Sequence, residues 1–381
     1  MNEQSNLREV AAQFALRTLR PSAALIDDLK DPAELIAQNS PLWKALKGAY
    51  RAGYHAAILP KAIGGMGLEG ARLQTLFEEL GYGCSGLARA LLATAMPFAA
   101  LARLNDEGLI AEFLRAYVSD VGAHAIGGWP LADSEGSDAI AAYGLGDYFV
   151  LRGVLPWVAN GAIATHALVF ARLAGGELAA LFAPLRSGDV ARGPAQDQIG
   201  QRGLTVAELR FAGVKLPRRM RICSGGLAEQ LRLELKGCWH AVDGAVATGL
   251  ARAALMEVFE HCQQTFYAGR PITDNAQAQH ALFEMFAWVE ACRALSRSVL
   301  ERTAATLAES AHYALAAQLF CAQTALRVAG HALPLFGKNT LRSPIERFFR
   351  DARTACIAYG ETPMLWGAKR LLAQLLDSAH N

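Results

Sequence analysis

Disulfide pairing, a membrane span and a nucleic-acid footprint are all missing from this sequence. Its seven cysteines are scattered and odd in number, and none forms a Cys-x-x-Cys pair. They read as small core residues of a reducing, cytoplasmic compartment, not as a disulfide frame or a zinc site. The formal net charge is only +2, which supplies no basic surface for nucleic acid and no pull toward an anionic membrane. No uninterrupted apolar run approaches the roughly 20 residues that span a bilayer. The opening Met-Asn-Glu-Gln-Ser-Asn lacks a basic stretch followed by an apolar one, so no secretory signal is expected. Gly-x-Ser-x-Gly, a Walker loop, His-Glu-x-x-His and Gly-x-Gly-x-x-Gly after a strand are also absent. Hydrolase, kinase and metalloprotease chemistry therefore has no residues to use.

What is present is a long chain rich in apolar and small residues. With 381 residues, 52% of them hydrophobic, it suits two or three domains around a large core or a broad subunit interface. Leu7, Val10, Ala11 and Phe14 recur at helical spacing, as do Leu42, Trp43, Leu46 and Tyr50. A turn follows at Gly64, Gly65 and Gly67, where backbone must pass through conformations that side chains block. Leu73, Leu76, Phe77 and Leu80 then mark a helix that carries Glu78 and Glu79. His55, with no second His or carboxylate at metal spacing, reads as a boundary residue and not a ligand.

After about residue 120 the period changes from helical to strand-like. Tyr148–Leu151, Leu168–Phe170, Leu181–Phe182 and Leu209–Phe211 are short β-prone runs separated by glycine and aspartate breaks. They predict a small antiparallel β-domain. From about Leu227 the pattern is helical again. Val242, Val246, Leu250, Ala253 and Met256 lie on one stripe, and Leu282, Met285, Val289, Cys292, Leu295 and Val299 on another. Leu315, Leu319, Ala322, Leu326 and Ala329 form a third. Thr362 before Pro363 is a start signal for a fourth helix, which carries Leu365, Leu371, Leu372, Leu375 and Leu376. The prediction is mainly α with a central β-domain: helical residues 1–120, a β-domain over 121–226 and a four-helix bundle over 227–381.

Three segments carry a family likeness. One is the proline, glycine turn and Glu78-Glu79-Leu80 helix. The second pairs Gly136-Ser137-Asp138 with Trp157-Val158-Ala159-Asn160-Gly161. The third is Ile345-Glu346-Arg347 leading into Arg350-Asp351-Ala352-Arg353. Their order and spacing resemble the acyl-CoA dehydrogenase family across nearly the whole chain.

That resemblance implies FAD between the β-domain and the bundle, and an acyl-CoA thioester as substrate. Trp157 would pack against the flavin ring, with Asn160 and Gly136 in the flavin and substrate loops. Ser137 would stand near the thioester. On the residues alone, Trp157 equally suits a packing role at a strand end, and Ser137 a turn. Ala159 takes the place of a threonine that donates a hydrogen bond to the flavin. In the bundle the family arginine, phenylalanine and glutamine positions hold Thr265, Ala268 and Ala276. Arg327, Gly330 and His331 replace a glutamine-x-x-glycine-glycine run whose backbone lies near the adenosine. Arg270 and Arg327 are the cations at hand for a pyrophosphate.

The family base is a glutamate that removes the α-proton as hydride leaves the β-carbon. Without a gap its position is Tyr359, whose ordinary pKa of about 10 is several units too high. A bridge longer by two residues brings in Glu361, which also suits the N-terminus of the last helix. Some relatives carry the base on the first bundle helix, where this chain has Trp239. Three readings stay open: an FAD-dependent acyl-CoA dehydrogenase, a catalytically silent homologue, or another flavin reaction such as a monooxygenation. The silent homologue would be a structural partner subunit or a thioester binder. The family forms dimers and tetramers through the bundle, so a homodimer, a homotetramer or a paralogous partner is implied.

Overall fold

The computed structural model describes residues 3–104, 106–131, 140–185, 190–305 and 307–357. Its first part is helical: α1 (Glu3–Phe14), α2 (Arg20–Asp27), α3 (Pro32–Ile36), α4 (Pro41–Arg51), α5 (Gly70–Gly83) and α6 (Ser85–Leu101). Two single turns, α7 (Glu107–Leu109) and α8 (Ala116–Val118), complete it. Asp31 caps α3 through a capping box with Glu34, and Pro32 takes the first helical position. Leu42, Leu46 and Tyr50 are buried as their spacing predicts, and so are Leu73, Leu76, Phe77 and Leu80. Val10 departs from its stripe and is 52% exposed.

His55 stacks on Tyr50 at 4.0 Å, and its Nε2 lies 3.0 Å from the Tyr117 carbonyl oxygen. It is buried, 1% exposed, and so packs deeper than the boundary position expected of it.

The middle part is one eight-stranded sheet. Its strands are β1 (Gly127–Pro130), β2 (Ile140–Leu145), β3 (Tyr148–Ala159), β4 (His166–Leu173), β5 (Leu178–Pro184), β6 (Val190–Arg192), β7 (Val206–Pro217) and β8 (Arg221–Ser224). Most pairings are antiparallel, as the hairpin breaks predict. The exceptions are β1 and β2, which both run parallel to β4 while pairing antiparallel with β3. The 12-residue β3 is long enough for both: its first half holds β2 and its last two residues hold β1. Short runs of alternating residues do not encode such end-to-end sharing.

The last part opens with α9 (Gly226–Gln264), 39 residues and about 58 Å long at 1.5 Å per residue. A two-stranded hairpin, β9 (Phe266–Tyr267) and β10 (Arg270–Pro271), leads to α10 (Ala276–Ala305). Then come α11 (Leu307–Phe336) and α12 (Ile345–Ile357). The helix expected after Thr362 lies outside the described residues.

Two helical stripes differ from expectation. Met256 on α9 is 44% exposed. On α11 the buried face is Ala314, Ala317, Cys321, Ala325 and Val328, while Leu315, Leu319 and Leu326 are only partly buried. Small side chains let α11 lie close against α9, and the leucines cover the flanks of the seam. All seven cysteines are free thiols. No described helix is long and apolar enough to cross a membrane.

Helix α9 is the common wall: it touches α5 and α6, strands β5 and β8, and α10, α11 and α12. Its crossing with α5 is made by two glycines. A Cβ on Gly81 would sit 2.3 Å from the Val246 carbonyl oxygen, and one on Gly249 would sit 2.1 Å from that of Glu78. Around the crossing, Arg252 of α9 bridges Glu78 and Glu79 of α5 at 2.8 Å and 2.5 Å, and Arg293 of α10 reaches Glu78 at 2.8 Å. Burial pushes the Glu78 carboxyl up, but Arg293 and Arg252 outweigh it and hold it below the usual range.

Both backbones would have to separate to admit a methyl group. Gly249→Ala should therefore cost roughly 1–3 kcal/mol or more in a urea unfolding titration. An unchanged midpoint would show that the helices do not meet at this distance.

Candidate functional site

The site is built on β3, on β1 paired beside it, and on α9, which reaches β1 through the Trp129–Trp239 stack. Strand β3 would turn Trp157 into the core if its alternation were regular. A register shift between Leu155 and Val158 breaks the alternation, and the Trp157 indole is left 50% exposed. The backbone there is held firmly, because the Leu131 N–H donates to the Trp157 carbonyl at 2.8 Å. Ala159 is fully buried opposite Trp129 of β1. Asn160 follows in the left-handed region at φ 60° and is fully buried. Its side-chain amide donates to the carbonyls of Ala90 and Gly127, at 2.8 Å and 3.1 Å. Asn160 thus fixes the turn after Trp157 from inside, and its Oδ1 is buried with no hydrogen-bond partner.

Across from β1, α9 presents Lys236, Trp239, His240 and Asp243. Trp239 is buried and stacks on Trp129 with ring centres 6.0 Å apart. Burial pushes the Lys236 ammonium down to about 8. Asp243 is fully buried and binds Arg89 of α6 through both oxygens, Nη2 to Oδ2 at 2.7 Å. Gln318 of α11 donates its Nε2 to Asp243 Oδ2 at 2.5 Å, and its Oε1 meets His240 Nδ1. The other side of Arg89 donates to Gln201 Oε1. The Gln201 backbone N–H in turn donates to Asp351 of α12 at 2.5 Å. One chain of charge-assisted contacts therefore ties α6, the loop before β7, α9, α11 and α12 together.

Of these wiring residues only Asp351, within the Arg350–Arg353 segment, was singled out in the sequence. Arg89 and Asp243 do leave a signal, since Arg89 is a lone charge in α6 and Asp243 a lone charge within the uncharged stretch between Lys236 and Arg252 of α9, and each needs a buried partner. Their mutual pairing, 154 positions apart, is not readable.

The expected cofactor residues of the bundle lie on other elements. Arg270 is exposed on the β9–β10 hairpin. Arg327 lies on α11 with its guanidinium 3.9 Å from the Trp288 ring centre, and His331 meets the same ring edge-on at 5.0 Å. At Gly330 a Cβ would meet only Phe349, at an ordinary 3.6 Å, so the protein's own packing does not demand glycine there. Gly136, Ser137, Tyr359 and Glu361 lie outside the described residues.

Residues 1–120 match the family description "Acyl-CoA dehydrogenase, N-terminal domain", and residues 241–368 match "Acyl-CoA dehydrogenase, C-terminal domain". The chain belongs to the acyl-CoA dehydrogenase family. It is 27% identical to a 3-sulfinopropanoyl-CoA desulfinase of Variovorax paradoxus, over 95% of this chain and 92% of that one. It is also 27% identical to a probable acyl-CoA dehydrogenase, FadE25, of Mycobacterium tuberculosis, over 94% and 92%. The fold matches the structure of butyryl-CoA dehydrogenase from Megasphaera elsdenii with a TM-score of 0.84 and 21% identity, covering 97% of this chain and 99% of that one.

Of the residues that the likeness would set against an FAD ring, two have the form that role needs. Trp157 is a half-exposed indole on a fixed backbone, and Asn160 anchors the turn behind it. Ala159 supplies no hydroxyl, so a hydrogen bond to the ring has to come from backbone. Of those the likeness would set along the dinucleotide, Arg270 is an exposed cation and Gly330 could take a Cβ at ordinary contact distance.

Two measurements probe the wiring. Asp243→Asn should cost roughly 3–5 kcal/mol of unfolding free energy, because it leaves Arg89 buried without its counter-charge. Replacing both residues together with apolar ones should cost less than the single change. Asp351 offers a pH test. Burial raises its carboxyl from 3.8 to about 6, so between those values the folded chain binds the proton more tightly than the unfolded one. Its contribution is greatest below that window and is lost as pH rises through it. The stability difference between wild type and Asp351→Asn should thus change between pH 4 and 6 and be flat from pH 7 to 8.

Proposed function

We propose that this chain is an FAD-dependent acyl-CoA dehydrogenase that introduces an α,β double bond into an acyl-CoA thioester. The observation that carries the reading is Trp157: a β-bulge holds its indole half in solvent, where the chain gains nothing by burial but a planar ring gains a stacking face. Asn160 keeps that face in place, while Arg270 and Arg327 are the cations available to the pyrophosphate and Gly330 the open backbone near the adenosine. Gly136 and Ser137 would lie along the flavin and the thioester. When bound, the flavin accepts the hydride from the β-carbon. The chain's own task is to hold the thioester flat, exclude water and take the α-proton. Glu361 is the first candidate for that proton and Tyr359 the second. The names of the relatives favour a CoA thioester, since both act, or are named as acting, on acyl-CoA compounds.

A second reading, a silent homologue that binds a thioester or supports a partner subunit, draws on the indole pair. Trp239 fills the place on α9 where some relatives carry the base, and its stack on Trp129 narrows the space beside it. Under either reading we place the protein in the cytoplasm as a homodimer or homotetramer, with a paralogous subunit as the alternative. Phe283 and Phe286 on α10 and Phe320 on α11 are 69%, 50% and 43% exposed, aromatic surface that a bundle-to-bundle contact would cover.

The test is the absorbance spectrum of the purified protein. A flavin band that bleaches on adding a saturated acyl-CoA is expected. A protein that stays colourless after incubation with FAD overturns the flavin reading. Trp157→Ala should lower flavin retention. Glu361→Gln should slow bleaching by about 100-fold or more while flavin stays bound. Full bleaching in that variant removes Glu361 from the reaction.

A further inference from the structure

Two of the free thiols meet across the bundle. Cys292 of α10 and Cys321 of α11 are both fully buried, in one small cluster with Ala247, Ala322 and Ala355. The Cys321 thiol donates to the Cys292 carbonyl oxygen at 3.8 Å and also to the Cys292 sulfur. The Thr324 hydroxyl supports Cys292, and that of Thr248 on α9 supports Cys321. These contacts make the two sulfurs unequal. The bond from Cys321, helped by Thr324, holds the Cys292 thiol below its ordinary value against the effect of burial. The same bond, together with burial, pushes Cys321 well up. One sulfur is thus prepared to attack while its neighbour keeps a proton. Both are closed to bulky or charged reagents, so the reagent that suits them is small and neutral. Cys84 and Cys262 are buried too but lie in other clusters.

We propose that Cys292 and Cys321 are a reversible redox pair, which hydrogen peroxide closes into a disulfide that fastens α10 to α11. Transient bridges of this kind are the form that disulfides take in a reducing compartment. The Cys292 thiol gives up its proton, and its sulfur attacks one peroxide oxygen. The O–O bond breaks, hydroxide leaves and takes up that proton as water, and Cys292 becomes a sulfenic acid. The Cys321 sulfur then attacks the sulfenic sulfur. The S–O bond breaks, and a second water leaves with the Cys321 proton. Two thiols have lost two electrons to one peroxide, and a dithiol reverses the change by exchange. The bridge fixes α11 one turn from Gln318, the residue that joins this helix to Asp243. The pair takes no part in the flavin reading and is tested apart from it.

Peptide mapping of the intact wild-type protein is the test. After brief exposure to hydrogen peroxide, and alkylation of the remaining thiols in denaturant, a linked Cys292–Cys321 peptide two hydrogens lighter is expected. Cys84 and Cys262 should still be alkylated. Dithiothreitol should restore both thiols. The bridged protein should unfold about 4 °C higher than the reduced one. Cys321→Ser keeps a hydroxyl donor and should leave Cys292 carrying added oxygen in place of a bridge, while Cys292→Ser should leave Cys321 unoxidised. Both thiols still free after peroxide, or a bridge from either one to Cys356, overturns the proposal. A bridged protein that melts no higher than the reduced one overturns the fastening of α10 to α11. Oxygen on Cys321 in Cys292→Ser, with Cys292 untouched in Cys321→Ser, overturns the order of attack.

Discussion

A guanidinium closed off from water loses its hydration, and an isolated buried ion is too costly for a folded protein to carry. Arg89 is in that position, 1% exposed in the middle of α6. Its partners come from separate regions: Asp243 from the first bundle helix and Gln201 from the loop before β7. The charge is tolerated only when helical domain, sheet and bundle are all in place. The arrangement therefore acts as a check on assembly, since a chain with one part misplaced leaves a bare charge in an apolar interior. Gln318 and Asp351 extend the same condition to α11 and α12.

The architecture was readable because it rests on period. Strong apolar stripes marked α4 and α5, and short β-prone runs marked β3, β4, β5 and β7. What period does not carry was missed. The stripe predicted for α11 held three leucines and two alanines, and only Ala322 and Ala329 of it are fully buried, because the distance between helices decides which face is inside. The parallel placement of β1 and β2 against β4 depends on the length of β3, which a window of a few residues does not sense. The site was legible only in part for a similar reason. Its motifs are local, but Arg89, Asp243, Gln201 and Gln318 meet only after folding, and a lone charge in a helix announces a partner without naming it.

The chemistry of the site follows from what surrounds each group. Trp157 escapes burial at one register shift, Asn160 locks the turn behind it, and Trp239 stacks on Trp129. Burial pushes the His240 imidazole down, and it weakens the ammonium of Lys236 one turn away in the same way.

The span of α9 has an evolutionary consequence. A single rod that walls the helical domain, supports two strands and founds the bundle makes the three regions poor candidates for exchange between relatives. A recombined descendant inheriting α9 from one parent and α5 from another would need matching glycines at the crossing and matching charges beside it. Change in this lineage should therefore accumulate at rims and loops, around the exposed aromatics of α10 and the tip of β9–β10, while the rod and its immediate neighbours vary together or not at all.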